Sequence, residues 1–263
     1  MTTPESKPLA LVTGASSGIG LELARQFGEN GFDLVISAED AGLSSAAADL
    51  RSTGADVQTV QVDLRTPDGV RQLYATATAG GRALDAVALN AGVGQGGAFI
   101  DTDLADDQEI IDLDITSTVH LAKLVLRDMA ARDAGRVLIT SSIASTMPGA
   151  FQPVYNASKS FLQSFAEAVQ EELEDTGVTI TSLMPGPTDT NFFHRAEMDD
   201  TPVGRGSKDD PAQVAAQGFA ALMDGKNTIV AGSLKTKAQG ALDDVLPDKV
   251  KAMAHRQMAE PED

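Results

Sequence analysis

Short apolar runs alternate with longer segments of helical periodicity along most of this chain. The runs at 9–12, 32–37, 57–62, 86–89, 137–140, 178–183 and 228–231 carry little polar alternation, which is typical of strands buried on both faces. Segments with helical periodicity follow most of these runs. The first two end near residues 27 and 50, and the later ones cover 70–79, 104–129, 153–176 and 211–223. The alternation predicts an α/β fold, a doubly wound parallel sheet of about seven strands with helices on both faces.

The regular pattern lapses in three places. Residues 1–7 form a short polar tail, residues 185–210 are rich in Pro, Gly, Thr and Asp, and residues 239–263 form a charged tail with helical potential. Because the irregular stretch is too long for a simple connector, residues 187–210 are interpreted as a loop on the substrate side of a site. No repeat or linker divides the chain, so residues 1–263 are expected to form a single domain.

Charge and composition narrow the possible partners. The 263 residues include 20 basic and 38 acidic ones, for a net charge of −18, and such a surface makes nucleic acids and anionic membranes poor partners. The absence of cysteine excludes disulfides and thiolate chemistry and fits a reducing compartment. With no signal-peptide core and no run long enough to span a membrane, a soluble, cytoplasmic protein is expected.

A glycine-rich turn joins the first predicted strand to the first predicted helix. Gly14, Gly18 and Gly20 allow the backbone to turn tightly and to approach a ligand without a Cβ in the way. The N-terminus of the following helix offers N–H groups and a positive dipole end to an anion. The turn therefore predicts a pyrophosphate site, the alternative being a tight turn without a ligand. The predicted contacts are Gly14, Ser16, Ser17, Gly18, Ile19 and Gly20.

Two further loops follow neighbouring predicted strands. Asp63 and Leu64 come after the third strand, where a carboxylate could accept a hydrogen bond from an adenine, and Asn90, Ala91 and Gly92 come after the fourth. Each loop alone would more often be an ordinary turn. Because the carboxyl ends of parallel strands meet at one edge of the sheet, the loops are expected to line one crevice with the glycine turn.

The stretch from Ser141 to Lys159 leads from the fifth strand into a helix that Pro153 is suited to begin. Tyr155 and Lys159 are four residues apart and therefore lie on one face of that helix. A phenol near a helix N-terminus, with an ammonium group beside it, should ionise more easily than in water. The alternative is a tyrosine and a lysine on an ordinary surface helix.

Taken together, these motifs resemble the short-chain dehydrogenase/reductase family in identity, order and spacing. The resemblance covers about residues 8 to 190 and rests on the Thr13-Gly-x-x-x-Gly-Ile-Gly20 turn, Asp63, Asn90-Ala-Gly92, Ser142, Tyr155-x-x-x-Lys159 and Pro185-Gly186. It implies a Rossmann-type sheet that binds NAD(P)(H) along its C-terminal edge. It also implies cofactor contacts from Pro185, Gly186, Thr188 and Thr190, and assembly into a homodimer or homotetramer.

The resemblance further implies the roles of three residues in hydride transfer between the nicotinamide and a secondary alcohol or ketone. Tyr155 would exchange a proton with the substrate oxygen, and its pKa would have to be depressed for work at neutral pH. Lys159 would supply positive charge and hold the nicotinamide ribose. Ser142, preferred over Ser141 because of its spacing from the tyrosine, would hydrogen-bond the substrate oxygen. No metal is needed.

One position departs from the family pattern. The fourth helix usually carries an asparagine that orders a water molecule near the lysine, and the matching residue here is Asp114, with Asp112 as an alternative placement. A carboxylate at this position would stabilise the charge of Lys159 and oppose ionisation of Tyr155. Function is expected to be retained with a shifted pH optimum.

An acidic pair follows the second strand. Glu39, which is followed by Asp40, could accept the ribose hydroxyls of an adenosine and repel a 2′-phosphate, and no basic residue lies in 38–49. NAD(H) is therefore favoured and NADP(H) is possible, although both acids could simply solvate a turn or cap a helix.

Three functions are compatible with these motifs. The leading one is an NAD(P)-dependent enzyme for a small-molecule alcohol or ketone, and the alternative is a non-catalytic NAD(H)-binding regulatory or scaffold protein. Reduction of acyl-carrier-bound 3-oxo groups would favour a basic patch, of which this acidic chain shows little sign. Among the three histidines, His194 in the irregular segment is a possible substrate contact.

Overall fold

The computed structural model describes residues 7–243 and 246–261. Within these residues, seven parallel strands form one sheet in the order β3-β2-β1-β4-β5-β6-β7, which confirms the predicted α/β fold of the Rossmann type. The strands are β1 (Leu9–Thr13), β2 (Asp33–Ala38), β3 (Val57–Gln61), β4 (Ala86–Leu89), β5 (Gly135–Thr140), β6 (Val178–Pro185) and β7 (Thr228–Ala231).

Helices follow the strands in alternation. They are α1 (Gly18–Glu29), α2 (Gly42–Arg51), α3 (Pro67–Thr78), α4 (Leu104–Ile110), α5 (Thr118–Ala131), α6 (Pro153–Glu172), α7 (Phe192–Arg195), α8 (Pro202–Arg205), α9 (Pro211–Met223), α10 (Leu234–Asp243) and α11 (Asp248–Ala259). No helix in the described part of the chain is long and apolar enough to cross a membrane.

The two faces of the sheet bury separate apolar layers, as the continuous hydrophobic strands require. On one face, α1 packs on α9, and the ring of Phe27 meets Phe32 and Phe219 edge-to-face, each with centroids 5.2 Å apart. On the other face, α3, α5 and α6 cover Leu11, Ile139 and their neighbours. The two outer strands are less buried, with three of the five residues of β3 exposed and only Ala231 of the four residues of β7 buried.

The strand order reverses at β1, which pairs with β2 on one side and with β4 on the other. The connections from these neighbouring strands therefore leave toward opposite faces of the sheet. A crevice opens at their carboxyl ends, which is where ligands bind in sheets of this topology. The glycine turn between β1 and α1 lies at this point.

The long helix predicted over 104–129 is interrupted. A π-helical segment, Ile111–Ser117, separates α4 from α5, and the helix continues to Ala131. Such a segment carries one extra residue per turn and shifts the faces of the helix that follow it. Here it buries Asp114 and Ser117.

The two irregular regions contain more structure than their composition indicates. The segment 187–210 includes α7 and α8, and the charged tail predicted from residue 239 begins inside α10 and continues with α11, which packs against α8. Residues 1–6 of the predicted N-terminal tail, residues 244 and 245, and the last two residues lie outside the described residues.

Candidate active site

One continuous cleft runs along the carboxyl ends of the central strands. The predicted cofactor and catalytic residues that line it are Gly14, Ser16, Ser17, Gly18, Ile19, Gly20, Glu39, Asp63, Leu64, Asn90, Ala91, Gly92, Ser142, Tyr155, Lys159, Pro185, Gly186, Thr188 and Thr190. Asp114 lies behind this wall, fully buried. Residues far apart in sequence thus share one surface because the sheet gathers the ends of its strands.

The glycine turn is shaped by close backbone packing. Gly14 and Gly18 have φ angles of +66° and +57°, in the left-handed region that favours glycine. A Cβ on Gly20 would lie 2.1 Å from the carbonyl oxygen of Gly14, so no other residue fits without a shift. A Cβ on Gly18 would lie 2.9 Å from a methyl of Thr190, which brings the predicted Thr190 contact next to the turn. The arrangement leaves the N-terminus of α1 facing the cleft, where it can receive an anion.

Thr13 and Asn90 tie the ends of three strands together. The Oγ1 of Thr13 accepts hydrogen bonds from the backbone nitrogens of Asn90, at 2.9 Å, and Ala91, at 3.0 Å. The Asn90 side chain donates to the carbonyl oxygen of Thr13 and accepts from Thr140 at the end of β5. Asn90 therefore holds the shape of the cleft as well as lining it.

An arginine that the sequence analysis missed lies at the outer end of the cleft. Arg65 forms ion pairs with Glu39, with Asp63 at 2.9 Å and with Glu109 at 2.9 Å. Burial raises the pKa of Asp63, but the hydrogen bonds from Arg65 outweigh it, and the net pKa of that carboxyl is lowered. The sequence feature that could have identified Arg65 is its position directly after Asp63 and Leu64, which are predicted to contact the cofactor. Its guanidinium holds the carboxylate predicted to select the cofactor.

The predicted catalytic residues meet at the inner end of the cleft. Tyr155 lies in the first turn of α6, which begins at Pro153, and its ring centroid is 5.5 Å from the Nζ of Lys159 and 5.1 Å from the ring of Phe192. The Oγ of Ser142 accepts a hydrogen bond from the backbone nitrogen of Ala144 at 3.1 Å.

The neighbouring hydroxyl, Ser141, is used differently. Its Oγ is fully buried and donates to the carbonyl oxygen of Lys159 at 3.0 Å. Ser141 therefore fixes α6 against the end of β5. Ser142, the preferred candidate, is the serine that neighbours the Tyr155 phenol.

The pKa of Tyr155 differs from the expectation. Burial raises it, Lys159 lowers it, Asp114 raises it and the neighbouring Ser142 hydroxyl lowers it, and the net pKa is above the ordinary value of a phenol. The expected depression was wrong for the protein alone because the loss of hydration exceeds the effect of one ammonium that is itself paired with a carboxylate. In this state the phenol is protonated at neutral pH.

Asp114 is surrounded by hydrogen-bond donors. Its Oδ1 accepts from the backbone nitrogen of Val93 at 2.9 Å, and its Oδ2 accepts from Lys159 Nζ at 3.1 Å and Ser158 Oγ at 3.1 Å. Burial lowers the pKa of Lys159, but Asp114 outweighs this and the net pKa is raised. Both carboxylate oxygens are used as acceptors, which a single amide could not provide. Asp112 instead accepts from Gln108, so the pairing belongs to Asp114.

The substrate side of the cleft is apolar. Its lining includes Ile143, Met147, Phe192, Phe193, Val203 and Met258. His255, on α11, also lines it and was not found from the sequence, because a single histidine in a charged tail carries no distinguishing pattern. His194 instead has an exposed side chain that bonds Asp199 at 2.6 Å. Among the described residues no cluster of His, Asp or Glu could hold a metal ion.

The cleft suits a dinucleotide on structural grounds. The close-packed glycine turn and the N-terminus of α1 form an anion cradle at its middle. Hydroxyls and carboxylates line the outer end, and the tyrosine, lysine and serine line the inner end. A phenol, an ammonium and a hydroxyl grouped in this way can exchange a proton with a bound oxygen and stabilise charge on it.

Comparison with known proteins agrees with this geometry. A family model for the short chain dehydrogenases matches residues 8–201. A ketoacyl reductase, HetN, from a Nostoc species is 31% identical over 187 residues, which cover 71% of this chain and 65% of that protein.

Two solved structures are similar over nearly the whole chain. A short-chain dehydrogenase from Sphingobium yanoikuyae in complex with NADPH is 25% identical with a TM-score of 0.81, covering 97% of this chain and 99% of the other. A short chain dehydrogenase/reductase from Burkholderia phymatum in complex with NAD is 22% identical with a TM-score of 0.83, covering 98% of this chain and 97% of the other. The chain belongs to the short-chain dehydrogenase family, as an NAD(P)-binding oxidoreductase that acts on CH–OH groups.

Proposed function

We propose that this enzyme interconverts a secondary alcohol and a ketone, with Tyr155 as the general acid and base. The observation that carries the proposal is the grouping of Tyr155, Lys159 and Ser142 at the inner end of the cleft that holds the glycine turn. Ser142 and Lys159 are more than nine-tenths buried, and Tyr155 lines the wall beside the apolar pocket, where electrostatic effects are larger than in water.

Each of these side chains has a distinct task in the proposed mechanism. The phenol of Tyr155 gives its proton to the ketone oxygen during reduction and takes it back during oxidation. The ammonium of Lys159, held by Asp114, favours the phenolate that forms when the proton leaves. The hydroxyl of Ser142, whose Oγ accepts from the backbone nitrogen of Ala144, would donate its proton to the substrate oxygen.

The residues present fit a nicotinamide dinucleotide. The turn from Gly14 to Gly20 would hold the pyrophosphate, Asp63 the adenine end, and Thr188 and Thr190 the nicotinamide end. When bound, the nicotinamide supplies or receives the hydride. The apolar wall formed by Phe192, Met147 and their neighbours excludes water from the reacting oxygen.

NAD(H) is the proposed cofactor. The Glu39 carboxylate lines the outer end of the cleft and would accept the ribose hydroxyls, while its charge would repel a 2′-phosphate. Further support comes from Arg65, which the sequence did not indicate. Its guanidinium holds Glu39 in place and is engaged by Glu39, Asp63 and Glu109. The comparison of kcat/KM for NAD(H) and NADP(H) tests this, and an equal or greater value for NADP(H) would reject it.

The assembly is proposed to be a single-domain homodimer or homotetramer in the cytoplasm. Support comes from the apolar side chains left exposed near α4 and α6, including Ile111 and Phe161. The mass in solution, from light scattering, tests the oligomeric part.

Replacement of the tyrosine tests the proposed chemistry. Tyr155→Phe is expected to lower kcat by at least about a hundredfold, since general acid–base catalysis of this kind contributes roughly 10²- to 10⁴-fold. Cofactor binding, followed by NADH fluorescence, should change little. Tyr74→Phe is the matched control, because Tyr74 is the other tyrosine and its hydroxyl bonds Asp128 outside the cleft.

The substrate panel separates the two functional classes. Secondary alcohols, methyl ketones and a 3-oxoacyl thioester should be tested with both cofactors. Turnover that Tyr155→Phe abolishes supports the proposal. Tight NADH binding without turnover of any compound would favour the non-catalytic, NAD(H)-binding alternative, and near-normal turnover by Tyr155→Phe would reject the assignment of the tyrosine.

A further inference from the structure

The helix α11 closes the substrate end of the cleft. The Nζ of Lys251 donates to the carbonyl oxygen of Thr146 at 2.7 Å, and Ala259 is buried beside Phe193. These contacts seat the helix against the segment that links Ser142 to Tyr155 and against α7. His255 lies between the two anchors and faces the cleft with Met258.

The orientation of the His255 ring is determined by one hydrogen bond. Its Nδ1 lies 2.9 Å from the carbonyl oxygen of Ala150. A carbonyl oxygen only accepts, so Nδ1 carries the proton, and the other ring nitrogen of a neutral histidine is then an acceptor. Burial lowers the pKa of His255, with the bond to Ala150 opposing it, and the ring is accordingly neutral at neutral pH.

The Nε2 of His255 has no hydrogen-bond partner among the described residues. The surrounding wall is otherwise largely apolar, with Met147, Phe192 and Met258. Gln152 also lines the cleft, is 6% exposed, and has an amide nitrogen without a partner in the described part of the chain. Buried polar groups normally have partners, so the unpartnered amide nitrogen of Gln152, together with the acceptor that His255 presents on the wall of the same cleft, points to a polar group on the ligand.

We propose that His255 recognises a second hydroxyl group on the substrate, away from the carbon that is oxidised or reduced. A hydroxyl donates its proton to Nε2 of His255 and still has lone pairs for an amide such as that of Gln152. The substrate class is therefore a hydroxylated ketone or the corresponding diol with an apolar carbon chain between the two oxygens. This inference rests on the proposed alcohol–ketone function and names the substrates of the same site.

The experiment compares two series of methyl ketones of increasing chain length. One series carries a terminal hydroxyl and the other the matching methyl ether, which keeps the oxygen as an acceptor and replaces the donated proton by a methyl group. His255→Asn keeps an N–H donor near the position of Nδ1 but has no acceptor at the position of Nε2, and His255→Phe has neither group. Lys251→Ala is the control, because it weakens the docking of α11 without touching the proposed acceptor.

The wild-type enzyme is expected to prefer the hydroxyl over the ether by about fivefold or more in kcat/KM at one chain length, the effect of one hydrogen bond to a neutral acceptor. Both His255 variants should bring this ratio near one, with kcat/KM for the ether within about twofold of the wild-type value. Lys251→Ala should keep the preference for the hydroxyl.

Other outcomes would overturn the inference. It fails if the wild type shows no preference at any length, if the His255 variants keep it, or if they lose activity equally on both series, as a purely structural role would require. Absence of turnover with every ketone would instead reject the proposed function itself, and the inference with it.

Discussion

Replacement of Asp114 by asparagine removes one negative charge from the interior while keeping the shape of the side chain. The carboxylate lies 3.1 Å from Lys159 Nζ and is fully buried. It raises the pKa of Tyr155, so its removal should lower that pKa. In the proposed mechanism, alcohol oxidation needs the phenolate and ketone reduction needs the phenol. The pH at which oxidation gains rate and reduction loses it should therefore fall.

The size of the effect follows from the geometry. Since Lys159 Nζ is 5.5 Å from the Tyr155 ring centroid and 3.1 Å from Asp114 Oδ2, the carboxylate oxygen is within about 9 Å of the ring. At an effective dielectric constant of about 20, a unit charge at that distance contributes about 2 kcal/mol. This corresponds to a displacement of the pH profile by about one pH unit or somewhat more.

The assay is kcat/KM against pH in both directions, from about pH 6 to 11, for wild type, Asp114→Asn and Asp112→Asn. Asp112 is the matched control, because it lies on the same π-helical segment and pairs with Gln108 instead of the lysine. Asp114→Asn should also lower the free energy of unfolding by about 2–4 kcal/mol, since a buried ammonium loses its partner; circular dichroism checks that the variant remains folded. A profile that is unmoved, or that moves to higher pH, would refute the reasoning.

Three further predictions concern other parts of the molecule. Glu39→Ser should raise the ratio of kcat/KM for NADP(H) to that for NAD(H) by at least about tenfold. The substitution removes the repulsive charge and releases the guanidinium of Arg65. An unchanged ratio would contradict the proposed role of Glu39. Gly20→Ala should weaken NADH binding by about tenfold or more in a fluorescence titration, since its Cβ would meet a backbone oxygen of the same loop at 2.1 Å; wild-type affinity would show that the loop adjusts. Phe27→Ala should lower the free energy of unfolding by about 3–5 kcal/mol in urea denaturation, because the ring is fully buried between two other aromatic rings, and a loss below about 1 kcal/mol would show that the core closes around the gap.

The predicted strands are close to the observed ones because their signal is local. A doubly buried strand needs a short continuous apolar run, and the runs at 86–89 and 228–231 coincide with β4 and β7, while the other five differ by one or two residues at their ends. The irregular segments were harder to predict, since α8 packs against α11 and Phe193 of α7 packs in a cluster with Ala259 of α11.

The site shows the same difference between features that are local in the sequence and contacts that join distant segments. The glycine turn and the spacing of Ser142, Tyr155 and Lys159 are readable in the sequence because they belong to single connections between a strand and a helix. The partners of Arg65 are 2, 26 and 44 residues away, and His255 meets Ala150 across 105 residues. No local pattern reports such pairs.

By itself, therefore, the sequence determined the α/β alternation and the glycine turn, which follow from periodicity and from spacing within one element, while the predicted roles of Ser142, Tyr155 and Lys159 came from the resemblance of the motifs to the family. Only the tertiary structure decided how these residues are tuned. It buries Tyr155 enough to raise its pKa, places Asp114 against Lys159 through a π-helical segment, and brings α11 to the substrate pocket. Burial and charge pairing depend on distances between segments that are remote along the chain, and those distances exist only once the sheet has formed.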